Sequence, residues 1–172
     1  MSLPLGLWFY RLGSAVVEPL APRLLAARAR RGKEDPDRIN ERLGRPTRPR
    51  PSGPLIWLHG ASVGESLSHL PLIERLRGER PDLTVLVTSG TRTAADLLAQ
   101  RLPPEVIHQY APIDAPKAGR RFLDHWQPSM AVFVESELWP NLILQAKDRG
   151  IRLALLSARM TQSSADGWRK AA

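Results

Sequence analysis

The sequence predicts an α/β fold: a Rossmann-like parallel sheet with helices on both faces. Three observations point there. From Pro54 onward, strand-length apolar runs alternate with helical patterns, as successive βαβ units do. The runs are continuously apolar, as strands covered on both faces require. Each run ends in a small or polar segment, the place where open α/β sheets bind ligands.

The elements follow in chain order. Residues 1–31, MSLPLGLWFYRLGSAVVEPLAPRLLAARARR, are apolar and then arginine-rich. The longest charge-free stretch is about ten residues, too short to span a bilayer. No basic region precedes the apolar core, so a secretory signal is not indicated. Leu3, Leu7, Trp8, Tyr10, Leu12, Val16 and Leu20, followed by arginines, suit a segment lying in a membrane interface. The alternative is a helix packed on the domain. Residues 32–53 are charged, then Pro/Arg-rich, and are expected to form a short helix and a linker. The domain proper is expected over 54–172.

Strands are expected at 54–58, 83–88, 105–110, 130–134 and 151–156, with helices near 65–78, 91–102, 115–126 and 139–149. Leu67, Leu70, Leu72, Ile73 and Leu76 form the apolar stripe of the first helix. The default strand order for such a half is 3-2-1-4-5.

Charge narrows the function classes. Residues 1–51 hold eleven Arg/Lys against five Asp/Glu, and the remainder fourteen against twelve. Residues 1–51 therefore carry +6 of the net +8, so the basicity belongs to the N-terminal arm and not to the domain. A nucleic-acid partner, which favours basic faces interleaved with aromatics, is not expected. Basic residues beside an apolar segment suit an anionic membrane surface. With no cysteine and four scattered histidines, thiol chemistry is excluded and no metal site is suggested.

The strand exits read HGASVGE, TSGTRT, YAPID, ESELWPN and SARMTQSS. The first has neither the dinucleotide glycine pattern nor a P-loop lysine. Gly60 and Gly64 permit a tight turn and close approach of backbone to a ligand. Glu65 opens a helix, where the macrodipole favours negative charge. Two roles fit it: an N-terminal helix charge, or a base ionised at neutral pH. In VESELWPN, Glu135 and Glu137 are either a capping pair or functional carboxylates, and Pro140 suits a first helical turn. Thr88, Ser89, Thr91 and Thr93 suit sugar or phosphate contacts, or helix capping. Arg159 can pair with Glu135 or Glu137, or with an anionic ligand. His59 is either a ligand-facing donor or a satisfied strand-end histidine.

The segments GKEDPDRINERLGRP, IWLHGASVGE, LPLIERL, VLVTSGTRTAAD, YAPIDAP and ESELWPNLI…GIRLALLSARMTQSSADGW together resemble the N-terminal half of 3-deoxy-D-manno-octulosonic acid (Kdo) transferases. The match runs in order from about residue 30 to the end. The resemblance implies half of a GT-B glycosyltransferase that moves Kdo from CMP-Kdo to a lipid A precursor in lipopolysaccharide biosynthesis. It implies inversion at the anomeric centre, no bound metal or cofactor, and work at the cytoplasmic face of the inner membrane. Glu65, the glutamate of S-V-G-E, would be the general base, and Glu135 would be functionally required. His59, Ser62, Gly64, Thr88, Glu137, Asn141 and Arg159 are the expected acceptor-binding set. In the family a second Rossmann-like domain supplies most contacts to CMP-Kdo. This chain is therefore expected to be the acceptor-side domain and inactive alone. The competing class is a catalytically silent lipid-binding module with the same fold.

Overall fold

The computed structural model describes residues 4–135, 138–158 and 162–171. The arm forms α1 (Leu5–Val17), a 3-10 turn (Glu18–Leu20) and α2 (Ala21–Arg30). A second 3-10 turn (Pro36–Arg38) leads into the short α3 (Ile39–Arg42). Then come β1 (Leu55–Gly60), α4 (Val63–Ser68), α5 (Leu70–Glu79), β2 (Thr84–Ser89) and α6 (Arg92–Arg101). The chain continues through β3 (Ile107–Tyr110), α7 (Pro116–Trp126), β4 (Met130–Val134), α8 (Pro140–Asp148), β5 (Arg152–Leu156) and α9 (Gln162–Ala171).

The five strands form one sheet in the order β3-β2-β1-β4-β5, and every pairing is parallel. This is the expected fold class and strand order. Alternate residues of β1, β2 and β4 serve two cores, while the leucines of the edge strand β5 are exposed. Leu55, Trp57 and Phe133 pack against Phe122, Leu123, Trp126 and Leu142 of α7 and α8. Ile56, Leu58, Val85, Val87 and Val132 pack on the other face against Ile73 and Leu98. Filling both faces explains the continuously apolar runs of β1 and β4.

Two local features depart from expectation. The helix expected over 65–78 is two helices, α4 and α5, meeting at His69 with Pro71 in the first turn of α5. Proline lacks the N–H a continuous helix would need there, and residue 71 is where its ring is tolerated as a helix start. The segment 32–53 also lies against the sheet edge. The Glu41 carboxylate accepts the Tyr110 amide at 2.8 Å, and Arg38 donates to the His108 carbonyl at 3.2 Å. Arg42 donates to the Ala111 carbonyl, and the Arg42 carbonyl accepts the Ile113 amide at 2.8 Å. These side chains occupy polar groups that the edge of β3 would otherwise present for pairing.

Candidate active site

The turn after β1 is built by packing and capping together. Gly60 lies against the first turn of α4; an added Cβ would stand 2.8 Å from Glu65 C and Ser66 N. Only glycine permits that approach. Ser62 is the N-cap, its Oγ accepting the Glu65 amide at 3.3 Å. Glu65 reaches back: Oε1 accepts the Ser62 hydroxyl at 2.6 Å, and Oε2 accepts the Ala61 amide at 2.9 Å. This is a capping box carried one residue further back. A carboxylate offers about four lone-pair sites, so two accepted bonds leave each oxygen able to take another proton donor. Both roles considered for Glu65 are thus compatible in one geometry: a helix cap fixes the side chain, and it stays half-exposed.

The neighbouring exit belongs to β4. His59 of β1 stands opposite Phe133 of β4, so the chain leaves both strands at adjoining positions. Glu135 sits there with φ of 58°, in the left-handed region that non-glycine residues rarely adopt. Its amide still donates to the Leu156 carbonyl at 2.9 Å, which anchors the strained residue to β5. Strain of this kind costs on the order of 1–3 kcal/mol and gathers at functional sites. Trp139 follows, edge-on to the His59 ring at 5.3 Å, and ties the two exits together. Glu137 and Arg159 lie outside the described residues.

Three expected acceptor contacts turn out to be interior. His59 and Thr88 are buried, and Thr88 Oγ1 stands 2.8 Å from both Trp57 Nε1 and His59 Nδ1. Trp57 can only donate. Thr88 Oγ1 therefore accepts from Trp57 and shares a second hydrogen bond with His59 Nδ1, while His59 Nε2 has no hydrogen-bond partner among the described residues. Burial, then the charges of His69 and Arg42, push the His59 pKa down to about 3, so the ring is neutral. Asn141 is also buried, its Nδ2 donating to Ser14 Oγ at 3.0 Å and the Asp114 carbonyl at 2.9 Å. These residues hold the scaffold and are not presented to a ligand. Thr91, by contrast, caps α6 by accepting the Ala94 amide at 3.2 Å, the capping alternative. Gly64 is exposed, with nothing within 4 Å of the position its Cβ would take. Its absence of side chain serves no packing need.

Sequence reasoning passed over His69, four residues after Glu65 and buried, with neither ring nitrogen hydrogen-bonded among the described residues. Burial lowers its pKa, against the opposing pull of the His59 backbone and Glu65. The i,i+4 spacing from Glu65 was the available signal.

It also passed over Glu18 and Asp114, which decide where the arm sits. The Glu18 carboxylate accepts the amides of Lys117 and Ala118, at 3.0 and 2.7 Å, in the first turn of α7. Asp114 does the same for Asn141 and Leu142 of α8, at 3.1 and 2.9 Å, while accepting the Tyr10 hydroxyl at 2.8 Å. Helices that follow parallel strands begin at the carboxyl edge of the sheet. Two carboxylates at two helix N-termini, favoured there by the macrodipole, thus fasten α1 at the edge from which Glu65 and Glu135 emerge. The outward side of the arm is apolar: Leu5, Phe9 and Val16 are 69%, 57% and 68% exposed, and Trp8, Leu12 and Leu20 are also exposed. Packing on the domain and an apolar outer surface coexist in one segment. Among the described residues no helix is long and apolar enough to cross a membrane.

Comparison with known proteins bears on what this edge does. The family profile described as 3-deoxy-D-manno-octulosonic-acid transferase (kdotransferase) matches residues 37–172. The chain belongs to the Kdo transferase family. A "probable 3-deoxy-D-manno-octulosonic acid transferase, mitochondrial" of Arabidopsis thaliana is 42% identical over 169 residues, covering 96% of this chain and 38% of that protein. The 3-deoxy-D-manno-octulosonic acid transferase of Rickettsia bellii is 40% identical over 139 residues, covering 81% and 33%. That of Haemophilus influenzae is 31% identical over 166 residues, covering 95% and 38%. The chain therefore spans between a third and two fifths of the length of these Kdo transferases, and the matched family part includes both glutamate-bearing exits.

Proposed function

We propose that this chain is the acceptor-side domain of an inverting Kdo transferase. It receives a lipid A precursor at a membrane surface, the cytoplasmic face of the inner membrane, and Glu65 is the general base. The observation that carries this reading is the fastening of the apolar, arginine-flanked arm to the same sheet edge as Glu65 and Glu135. An acceptor whose acyl chains stay in a bilayer presents its sugar hydroxyl at the membrane surface. The arm sets the carboxylates facing that surface.

In the proposed reaction Glu65 takes the proton of the acceptor hydroxyl as that oxygen attacks the anomeric carbon of Kdo. The bond from that carbon to the CMP phosphate oxygen breaks on the opposite side, and CMP leaves with the electron pair. The configuration inverts, and the proton on Glu65 passes to solvent. The Ser62 hydroxyl and Ala61 amide hold the carboxylate in place, so its orientation is set before substrate arrives. General base catalysis of this kind is worth roughly 10²–10⁴ in rate. Glu135, fixed at its strained position, lines the same edge. CMP-Kdo is held mainly by the remainder of the longer relatives.

The test is complementation. Transfer from CMP-Kdo, generated in situ, to a lipid A precursor in detergent micelles is measured for this chain alone and mixed with the separately expressed remainder of the enzyme. The reading expects no transfer by either half and transfer by the mixture. A mixture whose halves are folded and associated yet silent would instead favour a lipid-binding module without catalysis.

A further inference from the structure

Two of the strand exits at the carboxyl edge of the sheet share an unusual backbone. Glu135 directly follows Val134, the last residue of β4, and Ser157 directly follows Leu156, the last of β5. Both lie in the left-handed region, with φ of 58° and 49°. The two strands end level. Val134 stands opposite Leu156, and the Glu135 amide donates to the Leu156 carbonyl. Neighbouring strands run about 4.8 Å apart, so the two left-handed residues are neighbours at the edge from which Glu65 emerges.

One other non-glycine residue among the described ones adopts this backbone, Gln127 with φ of 41°. There the reason is local: Gln127 caps the C-terminus of α7, its amide donating to the Leu123 carbonyl at 3.0 Å, and helices commonly end on a left-handed residue. No helix ends at Glu135 or Ser157. Glycine, asparagine or aspartate would hold the same conformation with less strain. Strain of this kind gathers at ligand clamps and active sites. Turn chemistry does not account for the serine either. A serine that eases a turn bonds its hydroxyl to nearby backbone, whereas Ser157 is exposed and its hydroxyl has no hydrogen-bond partner among the described residues. Sequence reasoning singled out Arg159 in this exit and passed Ser157 over.

We propose, on the acceptor-side reading of this domain, that Ser157 is an acceptor-binding residue whose hydroxyl meets a sugar hydroxyl of the acceptor. A serine hydroxyl both donates and accepts, as a sugar hydroxyl does. In the sheet order β4 separates β5 from β1. Two strand spacings, about 10 Å, therefore lie between the exits of β1 and β5. The hydroxyl that Ser157 meets is thus not the one that Glu65 deprotonates. Contact at both places fixes the orientation of the acceptor and not only its position. The constrained backbone holds the serine in place before the acceptor arrives, which reduces the ordering cost of binding.

The complete enzyme is assayed with acceptor and CMP-Kdo varied separately, unsubstituted and as Ser157→Gly, Ser157→Asn and Glu65→Gln. Ser157→Gly relieves the backbone and removes the hydroxyl. Its urea midpoint should hold or rise while acceptor KM rises about fivefold, the net worth of one hydrogen bond at about 1 kcal/mol. Its kcat and its KM for CMP-Kdo should stay unchanged, as for a contact made equally in ground and transition states. Ser157→Asn tolerates the left-handed backbone and keeps a hydrogen-bonding side chain, so acceptor KM should return to within about twofold of the unsubstituted value. An unchanged acceptor KM in a stable Ser157→Gly enzyme, or a rise confined to CMP-Kdo, would overturn the inference. Loss of transfer by Glu65→Gln would still support the general base in that case. Full transfer by Glu65→Gln, with acceptor KM raised by Ser157→Gly, would sink the general-base reading and keep the acceptor contact.

Discussion

Gly60 and Gly64 flank the same turn, and alanine at the two positions should act in opposite directions. At Gly60 the new methyl would stand 2.8 Å from Glu65 C and Ser66 N, well inside the 3.4 Å at which ordinary contact begins. Both are backbone atoms of the first turn of α4, so no rotamer change relieves the clash, and α4 must shift. Overpacking of that kind costs about 1–3 kcal/mol. It also moves Glu65, so Gly60→Ala should lose stability and transfer together. At Gly64 the methyl meets nothing within 4 Å, and no positive φ is imposed. Alanine is preferred over glycine in a helix by up to about 1 kcal/mol, so Gly64→Ala should hold or gain stability. If the acceptor hydroxyl approaches Glu65 across this open flank, the same methyl obstructs it, and transfer should fall at least tenfold (about 1.4 kcal/mol in the transition state). Urea unfolding of each variant gives the stabilities, and the micelle assay with the complete enzyme gives transfer. Full transfer by a stable Gly64→Ala enzyme would refute the approach path. A marked loss of stability at Gly64 would refute the packing argument.

Three further predictions rest on groups inside the scaffold. His59 and His108 are neutral, each pushed down to about 3 from 6.5 by burial and then by neighbouring cationic groups. The unfolded chain therefore takes up protons that the folded chain refuses, and stability falls as pH drops below 6.5, the loss being complete near 3. Each of these two histidines should remove about 2 kcal/mol between pH 7 and pH 5; denaturant unfolding at both values checks this, and His108→Gln should reduce the pH dependence by about that amount. Thr88→Val should leave Trp57 Nε1 and His59 Nδ1 unpaired and cost about 1–3 kcal/mol for each, with acceptor KM unchanged when assayed at a temperature where the variant stays folded. Glu18→Ala should expose the α7 amides and release the arm at a cost of about 1–2 kcal/mol, seen as faster hydrogen exchange at Lys117 and Ala118 and as proteolytic cleavage within α1.

Much of the fold was legible because its signals are local. Continuous apolar runs identify doubly covered strands, and their alternation with helical stripes leaves few topologies, of which 3-2-1-4-5 is the default. The break at Pro71 was legible too, but the apolar stripe from Leu67 to Leu76 outweighed it. The seating of residues 32–53 was not, because its contacts span the chain: Glu41 and Tyr110 are 69 positions apart, and a charged, proline-rich segment reads locally as a linker. The same holds for Glu18, whose partners lie 99 and 100 positions away. At the candidate site, the turn around Glu65 was readable from glycine, serine and glutamate at their spacings. The fates of His59, Thr88 and Asn141 were not, since a polar residue at a strand exit looks alike whether it faces ligand or closes a buried network. The left-handed backbone of Glu135 has no local signature, because no glycine or asparagine marks it.

The most direct measurement is Kdo transfer by the complete enzyme with Glu65→Gln. Glutamine can still accept the Ala61 amide and donate to Ser62 Oγ, so the cap and the fold are retained. What disappears is the capacity to accept a proton. The account predicts a loss of roughly 10²–10⁴ in kcat, with unfolding midpoint and vesicle binding unchanged. Transfer at the unsubstituted rate by a folded Glu65→Gln enzyme would contradict it and leave Glu65 as a helix cap alone.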